Sequence, residues 1–412
     1  MKVLTVSTSD SDGGAARAAF RIHKAVCSAG VSGKMFVKSK CLDDDSVVGL
    51  DDFVPKNPFY RFFDWVACKI KNKYYQRLWN KYRNRDNVYY SDLRSTSLHG
   101  ALRHFDFDVL HLQWTNMRFL NLRLLERVNK PIVWTLHDSW AFCGVCHYNY
   151  SCEKYKTHCG GCPFLHGDED KDISYNVFEK KRRIYSHLDL HIVTPSRWLG
   201  ERAKNSALLG GFPICVIPNC INTNLFKPSE TKKETKVLRV LYGAMFAVED
   251  PNKGFKELVQ ALHFLTDKYD AEYELAVYGN NNPIQIDVKM PVLSFGVIRD
   301  DSKMVELYNS ADVVVVPSLS ENLSNVIMES LSCGTPVVAF NIGGNGDLID
   351  HKSNGYLAND PEDMGEGLHW CIENNQSGEL SKNARQKVLD NFLPRIVGEK
   401  YKELYDSVLG NK

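Results

Sequence analysis

Short apolar runs alternate with stretches of helical periodicity along most of the chain. Runs such as Val313-Val314-Val315-Val316 and Val337-Val338-Ala339-Phe340 are apolar at every position, which suits strands buried on both faces of a parallel sheet. In the first half, strands are predicted near 3–7, 33–38, 108–113, 131–136, 190–194 and 214–217. Helices fit 14–29, part of 58–84, 174–187 and 197–207. A polar stretch over 222–236, with Asn222-Thr223-Asn224, Pro228-Ser229-Glu230 and Lys232-Lys233-Glu234, reads as a linker. The alternation then resumes, with strands near 237–243, 273–278, 292–295, 312–316 and 336–340 and helices over 254–268, 302–310, 323–332 and 361–374. Two Rossmann-like domains follow, 1–221 and 237–390, with a ligand expected at the carboxyl ends of the strands in the cleft between them. Helical spacing from 391 to about 409 predicts a closing helix, expected to return to the first domain.

Composition narrows the class. A chain of 412 residues is long for one core and suits two domains, and 43% hydrophobic with 25% charged residues is ordinary globular content. With 51 basic and 50 acidic residues there is no global field for nucleic acid. Met1-Lys2 leads directly into the first strand, too short and too polar for a signal core, and no apolar run approaches the roughly 20 residues of a bilayer span. A cytoplasmic location is the resulting expectation. In that compartment the 12 cysteines are expected to be reduced, so clustered ones suggest metal before disulfide.

The most informative stretch runs over 311–346. A buried strand ends at Pro317-Ser318, and Glu321-Asn322-Leu323-Ser324-Asn325 leads into a helix carrying Glu329. Cys333-Gly334-Thr335-Pro336 stops that helix, and a second buried strand runs into Gly343-Gly344-Asn345-Gly346. A helix opening at a strand's carboxyl end presents unpaired amides and a positive dipole end, which attract phosphate. Eight helical steps between Glu321 and Glu329 would span about 12 Å, comparable with a sugar, a diphosphate and a ribose side by side. One carboxylate can then bind sugar hydroxyls and the other ribose hydroxyls. The competing reading is two solvated surface charges.

This block resembles the signature of family 4 retaining glycosyltransferases: Pro-Ser, a few residues, Glu, seven residues, Glu, then a small residue and Cys-Gly-Thr-Pro-Val-Val-Ala. The likeness covers the second half well and selected blocks of the first. Where the family usually has Gly-Phe-Gly after the first Glu, this chain has Asn322-Leu323-Ser324, a form similar to the colanic acid and exopolysaccharide branch. The resemblance implies an α/β GT-B fold, a nucleotide diphosphate-sugar donor and transfer with retention. It places donor contacts at Glu321, Leu323, Ser324, Asn325 and Glu329. Lys253, in Asp250-Pro251-Asn252-Lys253-Gly254, matches the lysine that neutralises the donor diphosphate; the arginine usual six residues earlier is Ala247 here. Val297 and Ile298, after Phe295-Gly296, match the segment whose backbone reads the base, and Tyr278-Gly279 is expected to line the same cleft. Gly13 and Gly14 match the glycine-rich loop that contacts the donor phosphates. His137, at the end of 132–136, matches the histidine that binds the donor sugar. The neighbouring Asp138 is expected to orient it or contact acceptor.

Cys143-Gly144-Val145-Cys146-His147, Cys152 and Cys159-Gly160-Gly161-Cys162 follow in loop, with spacing compatible with tetrahedral zinc. Cys146, Cys152, Cys159 and Cys162 resemble cysteines of the exopolysaccharide branch, and Cys143 looks like an extra. Reduced, uncoordinated thiols or disulfides are the alternatives. Residues 56–85 carry nine basic side chains against Asp64, interleaved with aromatics. Such a stretch suits an anionic membrane surface beside a lipid-linked acceptor; packing inside the first domain is the alternative.

The expected function is a hexosyl-type glycosyltransferase moving sugar from a UDP- or GDP-linked donor to a glycan or lipid-linked acceptor in polysaccharide biosynthesis. No catalytic metal is expected. Rival readings are a GT-B epimerase or phosphorylase, and an inactive carbohydrate- or partner-binding scaffold.

Overall fold

The computed structural model describes residues 1–53, 102–117, 119–167, 169–229, 236–243, 250–280 and 286–410, together with 66, 69, 70, 73, 77 and 80–82. Most of the basic aromatic stretch 56–85 lies outside the described residues, as do Ala247 and 230–235 of the polar linker. The chain divides into two units. The first holds Met1–Pro195, Leu199–Ile217 and Gly398–Lys412; the second holds Ser196–Trp198 and Pro218–Val397.

The first unit is built on a seven-stranded parallel sheet of β1 (Lys2–Ser9), β2 (Ser32–Ser39), β3 (Val47–Gly49), β4 (Val109–Leu112), β5 (Ile132–Thr135), β6 (Leu190–Thr194) and β7 (Ile214–Val216). Spatial order is β3-β2-β1-β4-β5-β6-β7, so the winding reverses between β1 and β4. The second unit has β8 (Leu238–Gly243), β9 (Tyr273–Tyr278), β10 (Val292–Ser294), β11 (Val313–Val316), β12 (Val337–Phe340) and β13 (Gly355–Ala358) in the order β10-β9-β8-β11-β12-β13, reversing between β8 and β11. Every strand pair is parallel. In such sheets ligands bind where the order reverses, outside the carboxyl ends of the strands.

Helices α1 (Gly14–Ser28), α2 (Ile173–Tyr185) and α3 (Arg197–Lys204) accompany the first sheet; α4 (Phe255–Lys268), α5 (Asp301–Ser310), α6 (Asn325–Ser332), α7 (Asn345–Leu348), α8 (Pro361–Asn374) and α9 (Glu379–Asn391) accompany the second, and α10 (Pro394–Gly410) follows. Several helices start where a short polar side chain caps them: Asp172 for α2, Asp300 for α5, Ser324 for α6 and Asp360 for α8. From Gly398 onward α10 counts with the first unit, and Gly398 brings it so close to α1 that a Cβ there would stand 2.4 Å from the Ala25 carbonyl.

The predicted strands and helices among the described residues are present, with ends moved by a few residues. All four valines of β11 are buried, each worth about 1.5–3 kcal/mol relative to exposure. Four elements escape the periodicity, the four-residue α7 among them. β3 and β13 are too short to show a pattern, and α9 hides a one-residue-wide stripe of Leu380, Ala384 and Val388 in a polar sequence. The helix after Glu321 starts at Asn325, so Glu321 stands in the preceding loop and the eight-step helical separation from Glu329 does not hold.

Candidate functional site

In the second unit, two loops at the carboxyl edge of the sheet are stitched together. The turn Pro251–Lys253 is capped by Asp250, whose carboxylate accepts from the Asn252 amide at 2.9 Å. Asn252 takes the Leu319 amide on its carbonyl at 2.9 Å and donates Nδ2 to the Ser320 carbonyl at 3.0 Å. Gly254 ends the turn in the left-handed region, φ 68°, where a Cβ would stand 1.8 Å from the Pro317 carbonyl oxygen. Partly buried Lys253 is thereby held beside the loop that carries Glu321.

The far side of that loop meets the glycine pair after β12. Gly344 donates its amide to the Glu321 carbonyl at 3.2 Å, and a Cβ on Gly343 or Gly344 would lie 1.8 Å from the Glu321 carbonyl or 1.7 Å from that of Asn322. Glycine is required by this backbone approach, whatever a ligand does. Ser196 Oγ donates to Asn322 Oδ1 at 2.7 Å. Ser324 caps α6 by accepting from the Ile327 amide, at a helix end whose first-turn amides point out of the helix. That positive helix end opens beside Glu321.

The two glutamates differ. Glu321 is partly buried, whereas Glu329 is 4% exposed and accepts from the Tyr308 hydroxyl at 3.0 Å. Leu323 packs in the core of the unit, so only its backbone can face a ligand. On the neighbouring edge, Gly279 donates its amide to the Gly296 carbonyl at 2.8 Å. Val297 is exposed there and Ile298 packs against the core, which leaves main chain at the rim.

In the first unit the same edge carries the other predicted residues. Gly13, φ 91°, precedes α1, and Gly14 is its first residue. His137 follows β5, and its Nε2 lies 2.7 Å from Gln113 Oε1, beyond β4. Burial pushes the His137 imidazole down to about 4, so the ring is neutral near pH 7. Asp138 takes three donors: the Trp140 amide at 2.8 Å, Trp114 Nε1 at 2.8 Å and the His147 ring. Burial alone would raise its carboxyl, but His147 and these donors hold it below the usual carboxylate range.

The cysteine loop sits on a buried lysine. Lys181 Nζ donates to the carbonyls of Trp140, Cys143 (2.8 Å) and Gly144 (3.3 Å) and lies 3.6 Å from the centre of the Trp140 ring. Burial pushes it down to about 7. Cys143, Cys146, Cys152, Cys159 and Cys162 line one pocket, and every cysteine among the described residues is a free thiol. The Gly144 amide donates to Cys159 Sγ at 3.2 Å, and the Phe164 and Leu165 amides to Cys162, as sulfur ligands of a metal require of their surroundings. Burial nevertheless raises the Cys159 thiol to about 12, and Cys146 hydrogen-bonds Cys162. Among the described residues no group of three or more His, Cys, Asp or Glu stands ready to hold a metal ion. The donor chemistry fits zinc; the thiols would have to lose protons and draw together to close around it.

Sequence reasoning missed Gln113, Tyr308, His147 and Lys181. Only Gln113 left a signal, since His111 and Gln113 share one face at the end of a strand.

The description Glycosyltransferase Family 4 matches residues 57–225, and Glycosyl transferases group 1 matches 238–374. The putative colanic acid biosynthesis glycosyl transferase WcaC of Escherichia coli K12 is 29% identical over 250 residues, 57% of this chain and 58% of that protein. The N,N'-diacetylbacillosaminyl-diphospho-undecaprenol alpha-1,3-N-acetylgalactosaminyltransferase of Campylobacter jejuni is 28% identical over 213 residues, 48% of this chain and 55% of that protein. The matched stretches thus span less than two thirds of these curated relatives. Anabaena HepE in complex with UDP-glucose shares the fold, with a TM-score of 0.63 at 17% identity over 99% of this chain and 100% of that one. Since the two matched descriptions take the two halves of the sequence in turn, on a fold shared end to end with HepE, the chain belongs to the family 4 glycosyltransferases and has their GT-B architecture of two Rossmann-like units.

Proposed function

We propose that the protein transfers a sugar, with retention, from a UDP- or GDP-linked donor to a glycan or lipid-linked acceptor in polysaccharide biosynthesis. The observation that carries this is the stitching of the Lys253 turn to the Glu321 loop beside the opening of α6. Lys253 and the amide end of α6 then lie beside the loop of Glu321, with Glu329 further along the same helix. A departing nucleoside diphosphate gathers negative charge, and donors fixed in advance stabilise it without reorganisation. Lys253 and the first-turn amides of α6 receive that charge, Glu321 engages sugar hydroxyls, and Glu329 engages the ribose. His137 binds the donor sugar as a neutral ring. Main chain at Val297 and Ile298 reads the base, and Gly13 with Gly14 approaches the phosphates. The names of WcaC and the Campylobacter enzyme support the acceptor class, and the HepE complex supports a nucleotide-sugar donor. Contact of 56–85 with a membrane surface and a structural zinc at Cys146, Cys152, Cys159 and Cys162 belong to the same reading.

Calorimetric titration against a panel of nucleotide sugars, followed by transfer assays in lipid extract, tests the proposal. Binding of one donor and loss of transfer by about 100-fold or more in Lys253→Ala are expected. Failure of every nucleotide sugar to bind, or full transfer by both Lys253→Ala and Glu329→Ala, overturns it.

A further inference from the structure

A buried polar chain runs from the closing helix to His137. The Tyr405 hydroxyl lies 2.7 Å from His111 Nδ1, and His111 Nε2 lies 3.0 Å from Gln113 Nε2. Gln113 Oε1 in turn lies 2.7 Å from His137 Nε2. A side branch joins it: Thr135 Oγ1 is 2.8 Å from His111 Nε2 and 2.9 Å from the Tyr401 hydroxyl. Tyr401, Tyr405, His111, Thr135 and Gln113 are each no more than 1% exposed. Tyr401 and Tyr405 are one helical turn apart on α10, while His111 is in β4 and Gln113 follows its last residue.

The inventory of protons gives the chain a direction. His111 is pushed down to about 3 and His137 to about 4, both by burial, so near neutral pH each ring has one N–H and one lone pair. With the Gln113 amide placed Nε2 toward His111 and Oε1 toward His137, the atom that receives the Gln113 N–H is His111 Nε2. It is therefore the lone pair, and Nδ1–H donates to Tyr405. Gln113 Oε1 can only accept, so His137 carries its proton on Nε2. Its Nδ1 then carries the lone pair.

We propose that Gln113 is a positioning residue that holds His137 in the Nε2–H tautomer, and that Tyr405 and His111 hold the Gln113 amide in the orientation that does so. For its effect on turnover this rests on His137 as the donor-sugar ligand; the tautomer itself does not. A histidine in the wrong tautomer keeps its place but presents a donor where an acceptor is needed. The closing helix, far away in sequence, thereby reaches the reacting end of the first unit. Among the described residues the titratable groups around His137 are Asp138, engaged by His147, and His111 across Gln113.

Nitrogen-15 NMR of the histidine rings in the full chain tests this directly. The His137 ring is expected as Nε2–H in the parent and as a mixture of tautomers in Gln113→Leu, with kcat down about tenfold and donor affinity within about twofold. Gln113→Glu keeps the shape but cannot donate to His111. Its carboxylate raises the His137 pKa, so kcat/KM acquires an acid limb nearer neutrality that the parent lacks. Tyr405→Phe should give the tautomer mixture in weaker form. An Nδ1–H ring in the parent, or ring shifts unchanged in both Gln113 variants, overturns the proposal. Should Gln113→Leu fail to fold, the Gln113→Glu spectrum and pH profile decide in the same sense. A changed tautomer with full turnover, or full transfer by His137→Ala, leaves the positioning role standing and removes His137 from the reaction.

Discussion

Tyr308 donates its hydroxyl to Glu329 Oε2 at 3.0 Å, with both side chains buried in the second unit. Burial holds the phenol well above its usual pKa, so Tyr308 remains a donor across the whole working range. Tyr278 extends the arrangement, its hydroxyl 3.2 Å from that of Tyr308. A carboxylate seen in the sequence as one half of a matched pair is thus a fixed, protein-bonded group, while Glu321 is the more accessible partner.

Tyr308→Phe removes the donor and leaves the carboxylate buried. Urea unfolding should show a loss of about 1.5–3 kcal/mol, the range for a bond to a charged group. Donor affinity should fall with it, because Glu329 loses the contact that aims it. Unchanged stability and unchanged donor affinity together would show that the bond does neither task.

Gly254 and Gly343 hold the two loops of the second unit at backbone contact. Each has positive φ, 68° and 56°, and a Cβ at either would lie 1.8 Å from a carbonyl oxygen. Gly254→Ala and Gly343→Ala should each cost about 2 kcal/mol or more and displace Lys253 or Glu321. Thermal unfolding with donor titration checks this; Gly211→Ala, whose Cβ meets nothing within 4 Å, is the control.

Acid should loosen the first unit. His23, His111 and His137 are pushed down to about 4, 3 and 4, first by burial, while an unfolded histidine keeps a pKa of about 6.5. Between those values the unfolded chain binds more protons, so stability is full above about pH 6.5 and is lost as pH falls toward 4. The slope approaches about 1.4 kcal/mol per pH unit for each fully buried ring. His111→Gln should flatten part of that slope in urea unfolding at pH 7, 6, 5 and 4; an identical slope in the variant would rule out His111 as a source.

Zinc at Cys146, Cys152, Cys159 and Cys162 would hold the loop that Lys181 already braces. Metal analysis of untagged protein should find about one equivalent, and chelation should lower Tm. Less than about a tenth of an equivalent assigns the pocket to reduced thiols.

Two parallel α/β units, the order of their strands along the chain, the Glu321 and Glu329 spacing and the Lys253 turn are all readable from residues alone. Each depends on neighbours within about ten positions: an apolar run, a cap, or a glycine beside a proline. The partners of buried polar groups are a different matter. Tyr405 is 294 residues from His111, Gln113 is 24 from His137, and Tyr308 is 21 from Glu329. Those pairs exist because the winding sets β4 beside β5, because α10 packs on the first unit and because α5 meets α6 in the second. The sequence by itself therefore determined most of the elements and where the charged side chains of the candidate site fall along them, since those are local free-energy preferences. Only the tertiary structure decided which donor meets which acceptor, because a buried hydrogen bond needs two distant segments brought to about 3 Å with water excluded.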